Sequence, residues 1–168
     1  DYGIVVMLAD ARARLLAPGG RVIPQRIRLE LAAVESGEAR AKVDGWSGEG
    51  VPAELHWLAH HAANEKRPVQ LAREALLSAP ARLGEIDLCV DSPGFFRWTA
   101  ELAISRDGTL HGLAGWFDCE LAPGVTMTNS PLSDRAIDRP QAFLPVEEPV
   151  PVRAGDTVRA TVMARPDD

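Results

Sequence analysis

Apolar residues return along this chain with two different periods. Near the start, Ile4, Leu8, Ala11 and Leu15 recur at helical spacing while Asp10, Arg12 and Arg14 fall elsewhere, which predicts an amphipathic helix. Pro18-Gly19-Gly20 stops it, because proline cannot continue the hydrogen-bond ladder and glycine accepts the left-handed backbone of a helix end. The period then becomes two. Ile27, Leu29 and Leu31 alternate with Arg26, Arg28 and Glu30, the signature of a strand with one buried and one wet face.

That alternation returns at Ile86, Leu88 and Val90, and again at Trp98, Ala100, Leu102 and Ile104. Arg106-Asp107-Gly108 carries hairpin chemistry, so 110–121 is expected to return against the strand before it. Further strands are predicted over 125–128, 142–146 and 157–163, with Ala154-Gly155-Asp156 as a turn. One stretch departs from the pattern. Residues 53–80 place Leu55, Leu58 and Ala62, then Leu71, Ala75 and Leu76 after Pro68, at helical spacing, which predicts two short helices inserted between strands. The expected fold is mainly β, an antiparallel barrel or sandwich with a short helical insertion.

The chain has 168 residues, 46% of them hydrophobic, enough for one domain with a sizeable core. Its formal charge of −6 argues against a generic nucleic-acid surface, which needs clustered lysine and arginine. Cys89 and Cys119 are far apart and form no CxxC pair, so no disulfide framework or cysteine metal site is expected. No apolar run spans a bilayer, and the opening residues do not resemble a signal peptide; a soluble, cytoplasmic protein is expected.

Candidate chemistry is sparse. His56, His60 and His61 lie on a predicted helix, but without a glutamate in HExxH spacing or a third ligand they read as surface or interface histidines, and no metal is expected. Gly45, Gly48 and Gly50 lack phosphate-loop spacing and read as a turn. Ser130, Ser133, His111 and Asp118 supply the residue types of a nucleophilic triad without a nucleophile elbow. Glu147 and Glu148, adjacent on a strand, point to opposite faces and are expected to end it at a proline-rich turn. Trp116 and Phe117 also diverge, one toward the core and the other available as an interface anchor.

Three stretches together resemble the protein arginine methyltransferase family. Residues 9–36, ADARARLLAPGGRVIPQRIRLELAAVES, are similar to its passage from the last helix of the S-adenosylmethionine domain, through a PGG turn, into the C-terminal β-barrel. LLSAPARLGEIDL at 76–88 is similar to the point where that family's arm rejoins the barrel. Residues 111–158 resemble the barrel's central hairpins and the segment bordering the active cleft.

The resemblance implies that residues 1–23 are the tail of a Rossmann-like cofactor domain and 24–168 a barrel for substrate and dimerisation, with its arm at about 53–80. It implies a cleft rim at Ser133, Asp134, Asp138 and Arg139, and an arm whose Leu55, Trp57 and Leu58 dock on a second copy, or else pack on the chain's own barrel. The family's Thr-His-Trp motif falls on Ala136, Ile137 and Asp138, and Arg139 stands at the usual lysine. The expected function is the substrate-side barrel of an S-adenosylmethionine-dependent methyltransferase, with the cofactor bound elsewhere in the full-length protein and the fragment inactive alone. No catalytic residue is nominated in this chain. The alternatives are a non-catalytic binding or oligomerisation module, and a methyltransferase acting on a protein or small-molecule acceptor other than arginine.

Overall fold

In a computed structural model, which describes residues 3–46, 48 and 50–165, the period-two stretches form two antiparallel sheets. The larger sheet contains β1 (Arg26–Val34), β2 (Arg67–Val69), β3 (Ala81–Asp87), β5 (Gly108–Ala122), β6 (Val125–Thr128) and β7 (Gln141–Val152). Its order is β2-β7-β5-β1-β3, with β6 also paired to β5. The smaller sheet pairs β4 (Phe96–Ala103) with β8 (Thr157–Ala164). The architecture is a sandwich rather than a closed barrel.

Alternation along β1 feeds two cores rather than one. Leu31 and Ala33 face the β4–β8 sheet, where they pack with Leu77, Ala100, Leu102, Ile104, Leu110, Val152 and Ala160. Ala32 and Val34 face the other way, onto Val69, Ala114, Trp116 and Phe143. Because both faces of its last residues are covered, Leu31–Val34 is buried throughout, and the polar-out alternation predicted from the first half of the strand ends there. Full burial of one large side chain such as Phe143 contributes about 1.5–3 kcal/mol.

Close approach requires glycine at positions 84 and 112 of the larger sheet. A Cβ at Gly84 would stand 2.5 Å from the Trp98 indole, which lies over β3 and stacks on Phe96. At Gly112 it would meet the Leu144 carbonyl oxygen and the Phe143 ring at 2.6 Å. These contacts let the second sheet close on the first and let β5 pass against β7.

Several expectations are corrected. Residues 110–121 do not return against the strand before the Arg106–Gly108 turn: β4 pairs with β8, while β5 pairs with β1, β6 and β7. The turn therefore carries the chain between sheets. The second predicted arm helix is strand β2 followed by a single 3-10 turn, Arg73–Ala75, and its Leu71, Ala75 and Leu76 reach the second core from largely extended chain. The strand expected to run through Val90 ends at Asp87. Glu147 and Glu148 do not end their strand, since β7 continues to Val152. Its register on β5 jumps from Gly112–Pro145 to Leu110–Val150, and the bulged residues turn the carbonyls of Val146 and Glu147 toward Arg40, at 2.6 and 3.1 Å.

Helix α1 (Ile4–Arg14) forms as predicted and is followed by Gly19 with positive φ. None of its residues is buried, and Val6, Met7, Leu15 and Leu16 are exposed. Arg12 ties it to the β3–β4 connection, donating to the Leu88 carbonyl at 2.6 Å and pairing with Asp91 at 2.7 Å. Helix α2 (Gly37–Asp44) has no counterpart among the predicted elements. Ser36 caps it by accepting from the Ala39 amide at 3.2 Å, and Ala39 and Val43 are its buried residues.

Candidate functional site

Among the described residues, three of the four buried polar residues, Asn129, Ser130 and Gln141, gather at the base of one loop, the 130–140 connection from β6 to β7. Asn129 accepts from the Phe117 amide at 3.0 Å and donates to the carbonyls of Arg139 and Pro140 at 3.4 and 3.0 Å. Gln141 donates to the Asn129 carbonyl at 2.7 Å and accepts from the Leu71 amide at 3.0 Å. Thr128 Oγ1 donates to the Phe117 carbonyl and accepts from the Ser130 amide. The loop thus begins and ends on side-chain amides that supply both donors and acceptors, the requirement for burying them without a desolvation penalty.

Within the loop, the Ser130 and Ser133 hydroxyls accept from the amides of Leu132 and Arg135, and the Ile137 amide returns to the Thr128 carbonyl at 2.8 Å. Ser133 is half-buried, whereas Asp134, Asp138 and Arg139 are exposed. Asp138 accepts from Gln70 at 3.4 Å, and the Arg139 guanidinium lies 5.9 Å over the Phe117 ring. The adjacent aromatics divide as their strand requires. Trp116 is in the core and Phe117 faces the loop.

The triad residue types do not assemble. His111 Nδ1 accepts from the Ser36 amide at 3.0 Å, so it is committed to the root of the arm, and the two serine hydroxyls are committed to their own loop. The histidines do not converge on a metal site either. His56 contacts the Val51 carbonyl, His60 Nδ1 lies 2.9 Å from Glu147, and His61 packs edge-on against Trp57. No group of three potential ligands occurs among the described residues. Gly45, Gly48 and Gly50 lie in a turn region, and Ser47 and Glu49 between them lie outside the described residues. Cys89 and Cys119 are free thiols; burial pushes the Cys119 thiol up.

The two ends of the segment between β1 and β3 meet at a polar joint. The Glu35 carboxylate accepts from Arg106 at 2.6 Å and from the Thr109 amide at 2.8 Å, which together hold it below the usual carboxylate range. Arg106 also donates to the carbonyls of Glu74 and Leu76. Beyond this joint, helix α3 (Leu58–Ala63) packs Ala62 and Ala63 on Val43 of α2. Leu58 is half-buried, but Leu55 is 39% and Trp57 59% exposed.

A cavity lined by Arg26, Arg28, Asp118, Cys119, Glu120 and Thr126 has about 10 Å³, the space of one water. No helix among the described residues is long and apolar enough to cross a membrane.

The arginine methyltransferase oligomerization subdomain family matches residues 25–168. An arginine N(omega)-methyltransferase from Streptomyces achromogenes is 30% identical over 93% of this chain and 43% of its own length. Protein arginine N-methyltransferase 1 of Schizosaccharomyces pombe is 22% identical over 93% of this chain and 47% of its own. Among solved structures, the Trypanosoma brucei PRMT1 enzyme-prozyme heterotetrameric complex with AdoHcy superposes with a TM-score of 0.79 at 19% identity, covering 96% of this chain and 52% of that one. Arabidopsis thaliana protein arginine methyltransferase 10 gives 0.75 at 19% identity, over 94% and 55%. The chain spans about half the length of the relatives it matches. With a two-sheet fold shared with these enzymes and a family match running from the start of the sandwich to the last residue, this chain belongs to the arginine methyltransferase oligomerization subdomain family.

Proposed function

We propose that this chain is the acceptor-side and assembly domain of an S-adenosylmethionine-dependent methyltransferase. The observation that carries the reading is the family match over 25–168, reinforced by a loop built to hold its shape while exposing Asp134, Asp138 and Arg139. In this reading the cofactor sits in the part of the protein corresponding to the remaining half of its relatives, joined through residues 1–23. The cofactor supplies an electrophilic methyl group. The 130–140 loop borders the cleft and presents the acceptor, so that catalysis rests on positioning and electrostatics.

The acceptor is arginine or a related cation. The Streptomyces relative is named for arginine and the yeast relative for protein arginine, so free and protein-bound forms are both to be tested. Leu55, Trp57 and Leu58 dock on a second copy of the chain; the exposure of Leu55 and Trp57 supports this over packing on their own sandwich. A second reading, a module that assembles without transferring methyl groups, is favoured by one observation: Ala136, Ile137 and Asp138 at the Thr-His-Trp positions offer no imidazole.

The test is methyl transfer by the natural full-length protein from labelled S-adenosylmethionine to free arginine and, separately, to proteins of its own lysate, with chemical identification of the product. Methylarginine is the expected result, and its free or protein-bound form assigns the acceptor. Label in another group keeps the enzyme class and rejects arginine. Absence of both label and cofactor binding establishes the non-catalytic reading.

A further inference from the structure

The returning limb of the arm touches the 130–140 loop in two places and the first residue after it in a third. Arg73 Nη2 donates to the Leu132 carbonyl at 3.0 Å, near the loop's beginning. Gln70 Nε2 donates to Asp138 at 3.4 Å, near its end. Between them, the Leu71 amide donates to Gln141, whose other end donates to the Asn129 carbonyl. Gln141 is 4% exposed, and it is the first residue of β7, where β2 pairs Val69 with it. From Asp134 to Pro140 every side chain of the loop is exposed, the charged ones being Asp134, Arg135, Asp138 and Arg139. So little of this stretch is buried that polar contacts, rather than apolar packing, fix its shape.

We propose that Arg73 and Gln141 are positioning residues that brace the acceptor rim against the returning limb of the arm. The inference rests on the proposed function, in which this loop presents the acceptor. Arg73 sets where the loop starts, Gln141 where it ends, and both read their position from the chain segment that has just left the arm. The rim therefore takes its geometry from the arm as well as from its own strands.

The experiment uses the natural full-length protein and its R73A, R73K and Q141E variants. Q141E retains an acceptor for the Leu71 amide and loses the donor to Asn129, so it separates the two bonds. Amide exchange over 131–139 is measured together with methyl-transfer kinetics, using free arginine and an arginine-rich peptide as acceptor probes. R73A is expected to speed exchange in the loop and raise the acceptor KM by roughly threefold to tenfold, the worth of one hydrogen bond, with kcat and the cofactor KM unchanged. R73K restores part of the effect, because its ammonium still donates. Unchanged exchange in both R73A and Q141E overturns the brace whatever the activity, and faster exchange with an unchanged acceptor KM overturns the positioning role. A parent protein that transfers no methyl group contradicts the proposed function instead, and the exchange over 131–139 then decides the brace alone.

Discussion

The 130–140 loop and the outer part of the arm are both exposed, and they are built in opposite ways. The loop shows charged side chains to solvent but stands on buried amides, Asn129 and Gln141, whose bonds close within the chain. The segment between β1 and β3 is fastened at its ends by Glu35 and Arg106, yet between them it shows Leu55 and Trp57 to solvent. A polar loop on satisfied buried groups keeps its shape without a partner. Apolar side chains left exposed gain free energy only when another surface covers them.

This contrast is broken most severely by N129A. The substitution strands the Phe117 amide and the carbonyls just before β7, and it is expected to lower folding stability by about 2–4 kcal/mol, read as a shift in the urea midpoint. E35Q comes next, at about 1–2 kcal/mol near neutral pH, because it removes the charge and turns one of the two accepting oxygens into a donor, so that either Arg106 or the Thr109 amide loses its acceptor at this partly solvated site. Its sign with pH is fixed. The folded pKa of Glu35 is lowered, so its contribution is present above the unfolded value of about 4.3 and is lost as pH falls through the folded value. The stability gap between E35Q and the parent is therefore expected to narrow in acid, and a gap that widened would contradict the assignment.

Smaller effects on folding are expected at the arm surface. W57S should change the folding stability of dilute protein by less than about 0.5 kcal/mol, while weakening self-association by roughly tenfold or more, as measured by sedimentation. E147Q, which removes an exposed partner of His60, should cost no more than about 0.5 kcal/mol by the same denaturation assay.

Where structure depends on local pattern, it is legible in the sequence. Helix α1 and strand β1 follow from periodicity and from the turn residues between them, and β6 has the predicted bounds. Pairing across long separations is not legible. The alternation of 98–104 identifies a strand but cannot select β8 over β5 as its partner, because that choice is made by packing between sheets. The spacing of Leu71, Ala75 and Leu76 suggests a helix, but the same three residues reach one core from largely extended chain. Helix α2 leaves a signal in Ser36 followed by Gly37-Glu38-Ala39, a cap and an acidic first turn, that a search for apolar stripes passes over.

For the candidate site, residue types at Ser130, Ser133, His111 and Asp118 suggest chemistry that the backbone hydrogen bonds of the serines and the histidine do not support. The groups that fix the loop, Asn129 and Gln141, escape a reading of the sequence because an amide at a strand end looks like any surface amide until its burial is known.

The most direct test of the contrast between loop and arm is amide hydrogen exchange of the natural full-length protein across a dilution series. The account predicts that protection over 53–64 rises with protein concentration as a second copy covers Leu55 and Trp57, while protection over 131–139 stays constant. Protection of the arm that does not depend on concentration would contradict it.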